Sequence, residues 1–147
     1  MATDGTDSYK SAAEIETLVR DFESCALEDS AFDHHAHLLV AFSYLHLSQL
    51  TVKEATARMR EGLYRFLDYH GHDRAKYNET ITVFWVRRVR SFLDHTNMTR
   101  TLPDIANEVV GTCGSARLIF HYYSKEHLMS DEARRSWVEP DVRPLDF

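Results

Sequence analysis

Residues 32–49 read FDHHAHLLVAFSYLHLSQ. Wound at about 100° per residue, the apolar side chains between Leu38 and Leu47 occupy most of a helix circumference. A helix that is apolar on nearly every side must be surrounded by others. The segment from His34 to about Gln49 is therefore expected at the centre of a helical bundle, with Asp29 or Ser30 as its N-cap.

The flanking sequence supplies the neighbours. Residues 1–9 read as a flexible tail. Ile15, Leu18, Val19, Phe22 and Cys25 then keep the i, i+3, i+4, i+7 spacing of an amphipathic helix from about Ser11 to Leu27. Thr51 and Glu54 are spaced as a capping box ahead of Val52, Ala55, Met59, Leu63, Phe66 and Leu67, and Gly71 stands where a glycine closes such a run. A fourth helix is expected from Asn78 to His95, with Ile81, Phe84, Trp85, Val89 and Phe92 inward and Arg87, Arg88 and Arg90 outward. Pro103 suits the first turn of a short helix to Val110, stopped by Gly111 and Gly114. Brief helical segments over 116–123, 125–129 and 131–138 follow, before Pro140 and Pro144 leave 140–147 irregular. With no alternating strand pattern, the expectation is an all-α fold. It is a single domain, residues 1–147, built as an irregular bundle of four longer helices plus short C-terminal helices.

The chain has 147 residues, 44% hydrophobic and 27% charged, enough apolar side chain for one core. Seventeen Lys and Arg against 23 Asp and Glu give a net charge of -6, which disfavours a phosphate-backbone binder. The three arginines of the fourth helix then read as a solvated face. Asp4 and Asp7 replace the basic start of a secretory signal, and no apolar run approaches the roughly 20 residues of a membrane span. Cys25 and Cys113, without CxxC spacing, read as free buried thiols. These features predict a soluble cytoplasmic protein without nucleic-acid or membrane partners; association into homo-oligomers is left open.

Three clusters carry candidate chemistry. On the central helix, with His34 at zero, His37 falls at about 300° and Leu38, Ala41 and Leu45 at about 40°, 340° and 20°. The two imidazoles share one apolar face, while His35 and His46 lie on a more polar side at about 100° and 120°. Histidines three apart on an inward face can offer two nitrogens to one metal ion; the alternative is a pair of hydrogen-bonded core histidines. Glu79, at the margin of the apolar arc of the fourth helix, is the carboxylate best placed to join them. Alternatively it is a first-turn acid behind the N-cap Asn78, favoured by the helix dipole. His34, His37 and Glu79 together would suit zinc or iron.

The third cluster is Phe120-His121-Tyr122-Tyr123-Ser124, followed by Ser130, Arg134 and Trp137. Adjacent tyrosines point to different sides, so at most one of Tyr122 and Tyr123 is expected to enter a pocket as a proton donor, the alternative being that both pack. Arg134 could meet a substrate carboxylate or pair with Asp131 or Glu139. His46, His70, His72, His95 and His127 read as surface or cap residues. There is no Gly-rich phosphate loop, GxSxG elbow, HExxH or paired-cysteine site.

Taken together, the clusters resemble an uncharacterised family of small bacterial proteins. Its pattern runs W-T-H-x-x-H-L, then G-Y-H-E-T-I-T, then Y-Y-S-x-x-x-L-x-S-x-x-A-R-x-x-W-V-x-P-D. The counterparts here are Phe32 to Leu38, Lys76 to Thr82 and Tyr122 to Asp141, within a similarity spanning about residues 22–145. The matching positions are His34, His37, Tyr77, Glu79, Thr80, Thr82, Tyr122, Tyr123, Ser124, Ser130, Arg134, Trp137, Pro140 and Asp141. Asn78 stands where the pattern has histidine, and an amide is a poor donor to zinc or iron. The resemblance implies membership and no particular reaction.

The leading expectation is a small enzyme with a pocket of His34, His37 and Glu79, edged by Tyr77 and Tyr122 or Tyr123. In one version the histidines and Glu79 hold a divalent ion for hydrolysis or elimination on a small molecule. In a metal-free version a histidine is the base and a tyrosine the acid. The competing expectation is a non-catalytic helical module that binds a small ligand or another subunit.

Overall fold

A computed structural model describes residues 11–147, so the tail expected over residues 1–9 lies outside the described residues. The fold is all-α, with no strand among the described residues. The elements are α1 (Ala12–Glu23), α2 (His34–Phe42), α3 (Val52–Tyr69), α4 (Glu79–Asp94), α5 (Leu102–Cys113), α6 (Lys125–Leu128) and α7 (Asp131–Arg135). Five of these are longer helices, where the sequence suggested four. The difference is α5, which runs through Gly111 instead of stopping at Val110. A Cβ at Gly111 would meet nothing within 4 Å, so this glycine is merely tolerated on an open helix face. No helix is long and apolar enough to cross a membrane.

Caps fix most of the boundaries. Ser11, Asp33, Thr51, Asn78, Thr101, Ser124 and Ser130 each accept a hydrogen bond from a backbone N–H in the first turn that follows. Thr51 and Glu54 complete the expected capping box, and Gly71 takes a positive φ of 77° after the C-cap His70. Asp33 caps α2 through the Ala36 N–H at 2.9 Å. Asp29 and Ser30, expected in that role, lie instead in a preceding 3₁₀ turn. The first helix ends four residues early: Cys25 enters the left-handed region at φ 65°, and the Leu27 N–H turns back to the Asp21 carbonyl. Similarly, α7 stops at Arg135. Beyond it the backbone extends to lie against Thr80, whose hydroxyl oxygen is 2.8 Å from the Ala133 carbonyl and accepts from the Val138 N–H at 3.3 Å.

The central segment is buried as its composition requires: Ala36, Leu38, Leu39, Val40, Ala41 and Phe42 have no solvent exposure. It winds as an α-helix only to Phe42. Ser43–Leu47 continue it as a wider π turn, in which the Ser48 N–H reaches back five residues to the Ser43 carbonyl. The α part packs chiefly on α4 and α5, and the wide turn on α1 and α3. There Tyr44 donates to Glu23 at 2.5 Å, and Arg58 of α3 binds the same carboxylate at 2.9 Å. Cys25 and Cys113 are free and buried.

Where α1 meets α3, Phe22 stacks on Phe32 with centroids 4.5 Å apart, and Phe66 packs against both. Gly62 on α3 makes this approach feasible, because a Cβ there would sit 2.7 Å from the Phe22 ring. Gly62→Ala is therefore expected to destabilise the fold by about 2 kcal/mol, despite alanine's better helix propensity, through forced displacement of a fully buried ring. A urea midpoint equal to or above that of the native chain would contradict this.

Candidate functional site

A pocket of about 330 Å³ opens between the loop before α2, the C-terminal half of α3 and the first turn of α4. Its walls are mainly apolar, from Phe32, Leu63, Phe66, Leu67 and Ile81, and its polar contributors include His37, Tyr77, Asn78 and Thr82. Asp29, His72 and Lys76 stand at its charged edge. His72 Nε2 and Asp29 Oδ2 are 2.6 Å apart, and Lys76 Nζ lies 3.1 Å from His72 Nδ1. This chain ties the 3₁₀ turn before α2 to the connection before α4. The hydrogen bond with His72 holds the Asp29 carboxyl below its ordinary range.

His37 is the unusual member. Its Nε2 is buried and has no hydrogen-bond partner, and its ring lies 5.9 Å from that of Phe32. Desolvation, reinforced by nearby His34, pushes its pKa down to about 4, so the imidazole is neutral at physiological pH. A buried polar atom without a partner costs about 1–3 kcal/mol, and because this nitrogen has almost no exposed surface, a ligand in the adjoining pocket reaches it only by a small shift of the ring or its neighbours.

The other residues singled out from the sequence have separate surroundings. His34 donates from Nε2 to the Cys113 carbonyl at 3.0 Å and sits edge-on to Trp85. Burial lowers its pKa too, partly offset by that carbonyl. Glu79 is gripped by Arg60 of α3, through Nε at 2.9 Å and Nη2 at 2.7 Å, and accepts from the Tyr77 hydroxyl at 2.5 Å. Burial pushes the Glu79 carboxyl up, but the bonds from Arg60 and Tyr77 outweigh it and hold it ionised below its ordinary range. Burial and the same carboxylate push the Tyr77 hydroxyl well above the usual phenol range.

The expected convergence of His34, His37 and Glu79 is therefore absent. Among the described residues no three His, Cys, Asp or Glu side chains form a group able to hold a metal ion. The donor set expected to bind zinc or iron does not fit one, because one imidazole is committed to a carbonyl and the carboxylate to a guanidinium.

The two adjacent tyrosines both pack. Tyr122 donates to Asp146 at 2.7 Å and lies against Phe84 and Phe147. Tyr123, fully buried, donates to the Val138 carbonyl at 2.7 Å. Neither lines the His37 pocket. Asn78 uses both ends of its amide: Oδ1 accepts from the Ile81 N–H, and Nδ2 donates to the Leu128 carbonyl at 2.8 Å. On the outer face of α4, Arg90 pairs with Asp94, while Arg87 and Arg88 cover the rings of Trp137 and Phe147.

Sequence reasoning missed Asp29, His72 and Lys76. His72, read as a surface or cap residue, meets a partner 43 positions away, and no local spacing signals that. Comparison of the chain with family models, curated proteins and solved structures finds no match.

Proposed function

We propose that this chain is a helical small-molecule-binding domain whose ligand occupies the His37 pocket. The observation that carries this reading is the partnerless, buried Nε2 of His37, a residue whose side chain adjoins a mainly apolar cavity. A volume of about 330 Å³ is at the small end of the range for ligand sites. It suits a single ring with short substituents. A neutral imidazole nitrogen presents one acceptor or one donor according to its tautomer, and a hydroxyl can answer either. The ligand class that fits is therefore a small hydroxylated ring, its hydrocarbon against Phe32, Leu63 and Ile81.

Binding is favoured over catalysis because both ring nitrogens of His72, the other imidazole at the pocket, already have partners. A pair of small probes tests the proposal. Phenol should bind the native chain about tenfold more tightly than toluene, the worth of one hydrogen bond to a buried group. In His37→Leu that preference should vanish while toluene still binds, as read by chemical-shift titration of the Leu63 and Ile81 methyl groups. Equal affinities in the native chain, or a preference that survives the substitution, would refute it.

A further inference from the structure

On the far side of Tyr77 lies a second, smaller cavity of about 220 Å³, lined by Tyr64, Tyr77, Arg74, Asp131, Arg134 and Arg135. Three guanidinium groups from two distant parts of a chain with net charge -6 thus line one small space. Arg74 is held by Asp68 through Nε at 3.0 Å and Nη2 at 2.7 Å, with its guanidinium over the Tyr64 ring. It is already anchored. Arg134 and Arg135, in the last turn of α7, are different: neither has an ion pair or side-chain hydrogen bond to any described residue. The partners that the sequence offered Arg134 are engaged otherwise or too far away. Glu139 accepts from the Trp137 indole, and Asp131 lines the same cavity without reaching either arginine.

We propose that this cavity is a binding site for a small oxyanion, a phosphate or the phosphate end of a monoester. Guanidinium forks match tetrahedral oxyanions through paired N–H···O bonds, and α7 supplies two uncommitted forks. Arg74, whose charge is already met by Asp68, lends a fixed wall to the site, so Arg134 and Arg135 are the groups left to pair with the anion. Asp68, paired with Arg74, and Asp131 limit the net positive charge around the site, so it discriminates by fork geometry and not by field alone. The site is separate from the His37 pocket and does not depend on how that pocket is used; Tyr77 is the wall between them.

Titration calorimetry at low ionic strength tests this with inorganic phosphate, phenyl phosphate and, as a univalent control, chloride. Phosphate should bind the native chain with one site. Arg134→Gln and Arg135→Gln should each weaken it about tenfold, the loss of one charge-assisted contact. Arg134→Lys keeps the charge but loses the fork and should weaken it nearly as much. Arg117→Gln, an equal change of charge at an exposed position outside the cavity, should leave affinity within about twofold. Tighter binding of phenyl phosphate than of phosphate would assign the site to monoesters, and the reverse order to the free ion. No saturable phosphate binding, or equal weakening by Arg117→Gln and Arg134→Gln, would overturn the proposal.

Discussion

Replacing His37 by leucine is expected to protect the protein against acid. An ordinary imidazole titrates near 6.5, whereas His37 in the fold does so at about 4. Between those values the unfolded chain takes up a proton that the folded chain refuses. Stability is therefore full above pH 6.5, falls as the pH drops towards 4, and loses nothing more from this group below that. The gap corresponds to about 3 kcal/mol, a large share of the stability of a domain this size. His34 shifts in the same direction and is present in both proteins, so its own burial cost cancels and only its repulsion with His37 adds to the difference. The carboxylates held low by their partners, such as Asp68 and Asp141, act only at and below their ordinary range near 4. At pH 7 His37→Leu should also be about 1 kcal/mol more stable, because a buried nitrogen without a partner has been removed. Urea midpoints measured from pH 7 to pH 4 would show the native and variant curves diverging as the pH falls. Parallel curves would mean that His37 is hydrated in the fold, and the binding proposal would lose its foundation as well.

The second large effect is expected at Asn78. Asn78→Ala removes the N-cap of α4 and deprives the buried Leu128 carbonyl of its donor. A lost cap costs about 1 kcal/mol, and an unsatisfied buried carbonyl about 2 more, so the fold should lose about 3 kcal/mol. Asn78→Asp keeps the capping oxygen but sets a carboxylate against the Leu128 carbonyl, and should lose at least as much as Asn78→Ala. A loss under 1 kcal/mol in Asn78→Ala, read from the urea midpoint, would show that water replaces both bonds.

The fold was legible in the sequence wherever a local signal carried it. The surrounded helix at 34–47, the capping box at Thr51 and the glycine at 71 each state their structure within a few residues. The wide turn at Ser43–Leu47 does not, because one more residue per turn leaves an apolar run just as apolar. The continuation of α5 past Gly111 was hidden by reading glycine as a stop when an exposed helix face only makes it costly.

The site was legible in parts. His37 and Tyr77 do line the pocket, but Glu79 went to Arg60, 19 positions away and on another helix. Such pairings depend on how helices are set against one another, and spacing within one helix says nothing of that. Several of the motif residues that prompted the resemblance hold the C-terminal segment in place. Thr80 receives the chain after α7, Tyr123 bonds Val138, and Ser124 binds Asp141 through both its N–H and its hydroxyl. Thr80 ties the C-terminal segment to α4, and Tyr123 and Ser124 tie it to the turn before α6, and that is a scaffold's work.

The π turn in the central helix changes what that helix can do. Admitting one residue beyond the α count offsets everything after it by about 100° around the axis. The first half of this continuous rod packs mainly on α4 and α5 while also meeting α1 and α3, and the wide turn carries the contact with α1 and α3 onward. Shortening the turn by one residue would restore uniform winding and rotate the residues that follow it about the helix axis. The irregular winding is a phase shifter that keeps one helix seated against α1 and α3 beyond the point where its contact with α4 and α5 ends.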